Sequence, residues 1–135
     1  MKIAVDFDGT IVEHQYPQIG EEKLFAIETL KQIQKQGHQL ILWTYRTGCE
    51  LDGAIEFCRK RGLEFYAVNK NYPEEKYDET SPRKLEVDLY IDDRNFGGFV
   101  EWSKIWETFN TESLKNSEDN FLKKNKRSFW KRIFG

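Results

Sequence analysis

Apolar residues fall along this chain in two rhythms. Short unbroken runs at 3–5, 39–44, 63–68 and 87–91 read as strands buried on both faces, as in a parallel sheet. Between them the spacing is helical. Leu24, Ile27, Leu30 and Ile33 mark one helix over 21–36, with Gly37 as its stop. A second helix runs from Thr47 or Gly48 to about Arg61 and is closed by Gly62. A third covers 99–109. The intervening stretches are polar: 11–20 is irregular, with Pro17 and Gly20, and 69–86 is a charged loop with two prolines. Strand, helix, strand, helix, strand predicts an α/β fold. The expected form is a three-layer Rossmann-like parallel sheet with right-handed crossovers and helices on both faces.

Three of these strands run into polar residues suited to chemistry. Asp6 and Asp8 follow the first, Thr44 ends the second, and Asp92-Asp93 follows the last. In a parallel sheet all three groups meet at one edge, the carboxyl edge, where open α/β sheets hold their ligands. At period two the side chains of Asp6 and Asp8 point the same way. An Asp8-Gly9 turn accounts for Asp8 but not for a carboxylate directly after a buried strand.

The chain has 135 residues, enough for one domain with a sizeable core. No stretch is long and apolar enough to span a membrane, and the first strand begins too early to leave room for a signal peptide. Cys49 and Cys58 lie on opposite faces of one predicted helix and match neither a zinc spacing nor a disulfide framework. Reduced thiols and a cytoplasmic setting are therefore expected. The charge is unevenly spread. Of 21 bases, six lie in 121–135 with no acid, so the other 120 residues carry 15 bases against 23 acids, a net of −8. The expected organisation is a domain over 1–110, a polar linker over 111–120 and a basic amphipathic tail over 121–135. Three readings of that tail stay open: packing on the domain or on a second subunit, peripheral contact with anionic lipid, and nucleic acid.

Four carboxylates at one sheet edge repel unless a cation or a shared proton joins them. An all-oxygen site of this kind suits Mg²⁺, which takes a few carboxylates and keeps its waters. Thr44 offers a hydroxyl to an anionic oxygen, and a lysine from 69–86 could neutralise it. Together they describe phosphoryl transfer to a carboxylate nucleophile.

Asp6-Phe7-Asp8-Gly9-Thr10 after an apolar strand, Thr44, a later lysine and Ile91-Asp92-Asp93 resemble the four motifs of the haloacid dehalogenase superfamily, in order, over residues 1–109. Within it, Tyr90-Ile91-Asp92-Asp93-Arg94-Asn95 is similar to a segment of small capless phosphatases. The resemblance implies that Asp6 is the nucleophile and a ligand of Mg²⁺. It implies that Asp8 is the general acid and then the base, with its backbone carbonyl a further metal ligand. Thr44 and the Tyr45 amide would bind phosphoryl oxygens. Of Asp92 and Asp93, one would bind the metal directly, with Asp93 favoured, and the other through water. Lys84 is placed as the motif lysine, with Lys70 and Lys76 as rivals. The superfamily's cap insertions would fall in 11–20 or 69–86, both too short for a domain. The site is then open to a bulky phosphorylated substrate unless a second copy of the chain covers it.

Arg46 and Arg94 follow motif residues and either touch substrate or pair with a neighbouring carboxylate. Tyr16, Tyr45 and Tyr72 are candidates for the mouth of the site, and His14 and His38 read as surface residues. A phosphomonoesterase competes with two non-enzymatic readings, a receiver-like phospho-aspartate module and a docking protein acting through its tail. A receiver carries its phosphorylated aspartate on a later strand than its acidic pair and lacks the acid/base that Asp8 offers.

Overall fold

The computed structural model describes residues 1–76 and 85–111. Lys84 and the segment 112–135, with most of the expected linker and all of the basic tail, lie outside the described residues. The chain divides into two units, Met1–Trp102 and Ser103–Gly135.

The first unit is built on β1 (Lys2–Val5), α1 (Ala26–Lys35), β2 (Gln39–Leu42), α2 (Gly48–Lys60), β3 (Ala67–Val68) and β4 (Leu89–Ile91). A third helix, α3, occupies 102–111. The four strands form one sheet in the order β3-β2-β1-β4, all parallel. The architecture is therefore α/β with three helices, consistent with a Rossmann-like fold. Among the described residues no helix is long and apolar enough to cross a membrane.

β1 sits inside the sheet, with neighbours on both edges. Ile3, Ala4 and Val5 are all buried rather than alternating, the pattern of a strand covered on both faces of its sheet. Register aligns Ala4, Ile41 and Ala67 across three strands, and Leu85 completes a small core cluster on that face with Trp43, Tyr66 and Val87 against it. α1 buries Ile27, Leu30 and Ile33 as its spacing predicts, and Ala26 besides, with Glu28 in its first turn and Lys35 in its last, each favourable to the helix dipole.

Several boundaries differ from expectation. α1 begins at Ala26, not at 21, because Phe25 takes a left-handed conformation and the Ala26 amide donates to the Lys23 carbonyl at 3.0 Å. Leu24, expected on the apolar face, is therefore 76% exposed. β3 keeps only two residues of the expected six, but hydrogen bonds from Tyr66 and Asn69 to Leu40 and Leu42 bracket it. α3 starts three residues late and takes in Thr111, the first residue of the expected linker.

The irregular stretch after Thr10 is tied at its base. The Glu13 amide donates to the Glu21 carbonyl and the Lys23 amide to the Ile11 carbonyl, both at 2.8 Å. Residues 14–20 are thus a closed loop.

Candidate active site

The pairing registers match Val5 with Leu42 and Ile91, and Leu42 with Val68, so all four strands end level. The residues that follow them, Asp6, Trp43-Thr44, Asn69 and Asp92-Asp93, meet at one carboxyl edge. The Asp6 amide continues the ladder by donating to the Ile91 carbonyl at 3.0 Å, and the Trp43 amide donates to Val5 at 2.8 Å.

Beyond Asp6 the chain turns sharply. The amides of Thr10, Ile11 and Val12 all point at the Phe7 carbonyl, within 3.2 Å, and Phe7 itself is buried edge-on against Phe57. Gly9 holds a left-handed φ of 82°, and a Cβ there would collide with the Asp93 carboxylate. Only glycine lets the first loop pass this close to the last. Trp102, almost wholly buried, pins the turn from outside: its indole N–H donates to the Thr10 carbonyl at 2.8 Å.

The carboxylates of Asp6, Asp92 and Asp93 converge, with one oxygen from each lying within 4.8 Å of the others. The Thr10 hydroxyl donates to Asp6 Oδ2 at 3.3 Å, and Asp92 Oδ1 accepts the Arg94 amide at 3.0 Å. Burial, then the charge of Asp92, pushes the Asp6 carboxyl from 3.8 up to about 7. Burial and like charge both disfavour the ionised form here, and a cation bound at the three carboxylates would oppose both. A hard divalent cation fits the donor set, which offers carboxylate oxygen only.

Asp8 stands apart from that cluster. Its carboxylate forms a two-pronged ion pair with Arg46, both contacts at 2.7 Å. Of the two readings of Arg46, the structure holds the second: it is 1% exposed and pairs with a neighbouring carboxylate, so it does not offer itself to substrate. The hydrogen bonds to Asp8, above all, hold its guanidinium charged.

Thr44 is at the edge as expected. Its hydroxyl accepts the Arg46 amide at 3.1 Å, which leaves the hydroxyl proton to donate outward. Its own amide donates to Asn69 Oδ1 at 2.8 Å. Asn69 was absent from the sequence-based site. It sits just past β3 at a φ of 52°, a conformation that asparagine tolerates better than most residues. An asparagine directly after a buried strand was its one signal. Tyr45 is 85% exposed, and Arg94 lies over its ring at 5.4 Å, so these two form part of the rim. Tyr16 and Tyr72 are also exposed. Lys70 follows Asn69 at the same edge and is half-buried, whereas Lys76 is exposed. His14 is exposed, and His38 meets the N-terminal amine at 3.0 Å, at the opposite end of β1. Cys49 is exposed and Cys58 buried, as their spacing predicts, and both are free thiols.

The chain is similar to a conserved protein of known structure from Bacteroides thetaiotaomicron. The two are 61% identical, with a TM-score of 0.77, over 83% of this chain and 91% of that one. This chain belongs to the same family. No family model matches it, and neither does any curated protein.

The shift of Asp6 makes a prediction for metal-free protein. Unfolded, Asp6 titrates near 3.8; folded, near 7. The folded state thus binds this proton more tightly. Its contribution to stability is complete below about pH 4 and is lost as pH rises to about 7. In chelator, the melting temperature should include a component that falls over this window. Added Mg²⁺ should raise the melting temperature more at pH 8 than at pH 5, where protons compete for the same oxygens. A Mg²⁺ effect of equal size at both pH values would rule out this cluster as the binding site.

Proposed function

We propose that this protein is a Mg²⁺-dependent phosphomonoester hydrolase of the haloacid dehalogenase type, without a cap domain and built as a three-layer sheet. The observation that carries the reading is the convergence of Asp6 with Asp92 and Asp93, two acidic segments from opposite ends of the first unit. Three carboxylates in a half-buried site are costly alone and useful around a cation. Asp6, Asp92, Asp93 and the Asp8 carbonyl would hold Mg²⁺, which would supply positive charge to the phosphoryl oxygens.

The residues of this chain divide the remaining work. Asp6 attacks phosphorus through one carboxylate oxygen and becomes an aspartyl-phosphate as the P–O bond to the leaving group breaks. Asp8 gives the leaving oxygen its proton, then takes one from the water that frees phosphate and regenerates Asp6. The Thr44 hydroxyl and the Tyr45 amide receive the phosphoryl oxygens, and the motif lysine, placed at Lys84 with Lys70 and Lys76 as rivals, balances their charge. Arg94, beside Tyr45 on the rim, is placed to meet the rest of the substrate. A cytoplasmic setting, in which both thiols stay reduced, belongs to the same reading.

The position of Asp6 directly after the first strand, with an acid/base two residues later, favours hydrolysis over a receiver-like role. p-Nitrophenyl phosphate should be hydrolysed in Mg²⁺, and excess chelator should stop the reaction until Mg²⁺ is restored. Unchanged turnover in chelator would remove the metal from the mechanism. Stable phosphorylation of Asp6 without turnover would favour the receiver instead.

A further inference from the structure

We infer that Arg46 is the positioning residue for Asp8, holding that carboxylate in the one orientation from which it can serve the leaving oxygen. The inference rests on the acid/base role proposed for Asp8. A guanidinium has five N–H donors in a rigid plane, and here all five are spent on the protein. Nε donates to Asp8 Oδ2 and one terminal nitrogen to Asp8 Oδ1, each at 2.7 Å. That same nitrogen donates to the Gln18 carbonyl at 2.8 Å. The other reaches the Pro17 carbonyl at 3.1 Å and the Glu50 carbonyl at 3.4 Å. The rings of Phe7 and Tyr16 lie 5.2 and 5.1 Å from the guanidinium carbon.

Backbone from the 14–20 loop and from the start of α2 therefore fixes the plane of the fork, and the fork fixes the plane of Asp8. A carboxylate has about four lone-pair sites, and the fork takes one on each oxygen, so others remain to carry a proton. Misplacing a catalytic group by about 1 Å can cost on the order of 10²-fold in rate. Lysine keeps the charge but is a point donor without the fork.

The test compares Arg46→Lys with wild type on two classes of ester. p-Nitrophenolate leaves without needing a proton, whereas an alkoxide does not. The parameter is kcat/KM, which reports steps only through phosphorylation of Asp6. For an alkyl phosphate it should fall on the order of 10²-fold. For p-nitrophenyl phosphate it should stay within about threefold, since Asp8 contributes little to that step. Equal losses on both esters would reduce Arg46 to a structural residue, and no loss on either would overturn the inference outright. Should Arg46→Lys not fold, Asp8→Glu carries the test from the other side of the pair. It keeps the charge and displaces the carboxylate against a fixed fork, so kcat/KM for the alkyl phosphate should fall on the order of 10²-fold, and full alkyl activity would overturn the inference. Wild-type protein inert towards both esters would instead remove the hydrolase reading on which the inference rests.

Discussion

Asp6→Asn should lower kcat on the order of 10⁶-fold, the scale on which hydrolases that act covalently feel the loss of their nucleophile. The amide nitrogen and oxygen are poor nucleophiles, and the change removes one of the three converging carboxylates. The loss should come without a loss of fold. In metal-free protein above pH 7, Asp6 is a charge pressed against Asp92 and Asp93 in a half-buried site. The neutral amide relieves that repulsion and can still accept the Thr10 hydroxyl. Asp6→Asn is therefore expected to melt no lower than wild type in chelator at pH 8, while its turnover vanishes. That pattern is the trade between stability and activity common at active sites. Turnover within tenfold of wild type would take the nucleophile away from Asp6.

Asp8→Asn should cost about 10²–10⁴-fold in turnover of an alkyl phosphate, the usual worth of a general acid–base. Its effect on stability should have the opposite sign. Asp8 is the counter-charge of a buried arginine, and Asn keeps only one acceptor oxygen for the fork. Removing one partner of a buried pair costs up to about 3–5 kcal/mol. Rates must therefore be taken well below the variant's own melting temperature. Two aspartates two residues apart would thus respond to the same substitution in opposite ways, Asp6 by relief and Asp8 by loss. Wild-type turnover of the alkyl ester in folded Asp8→Asn would rule out its role as acid and base. A melting temperature equal to wild type would mean that the ion pair contributes nothing to the fold.

Much of this is legible in the sequence alone. Ile3 to Val5 read as a strand buried on both faces because no polar residue interrupts it, and it lies between β2 and β4. A carboxylate directly after such a strand must sit at the sheet edge, whatever the rest of the chain does. The same argument placed Thr44 and the Asp92-Asp93 pair there, because three parallel strands that end level leave no other place for them. The distances among Asp6, Asp92 and Asp93 then follow from neighbouring strands lying about 5 Å apart.

What stayed hidden depends on contacts between residues far apart in the chain. Nothing in the pattern around Arg46 separates an arginine held out for substrate from one buried against Asp8; that choice was made by carbonyls of Pro17, Gln18 and Glu50 closing around it. Asn69 joined the site only because β3 ends beside β2 and brings its amide oxygen to the Thr44 N–H. Gly9 read as a turn residue, while its closest constraint is the Asp93 carboxylate from the far end of the first unit. Local sequence settles which residues reach the edge, because burial and strand period act over a few neighbours. Which of those residues face one another, and which are already taken, is settled only when separate strands and loops pack together.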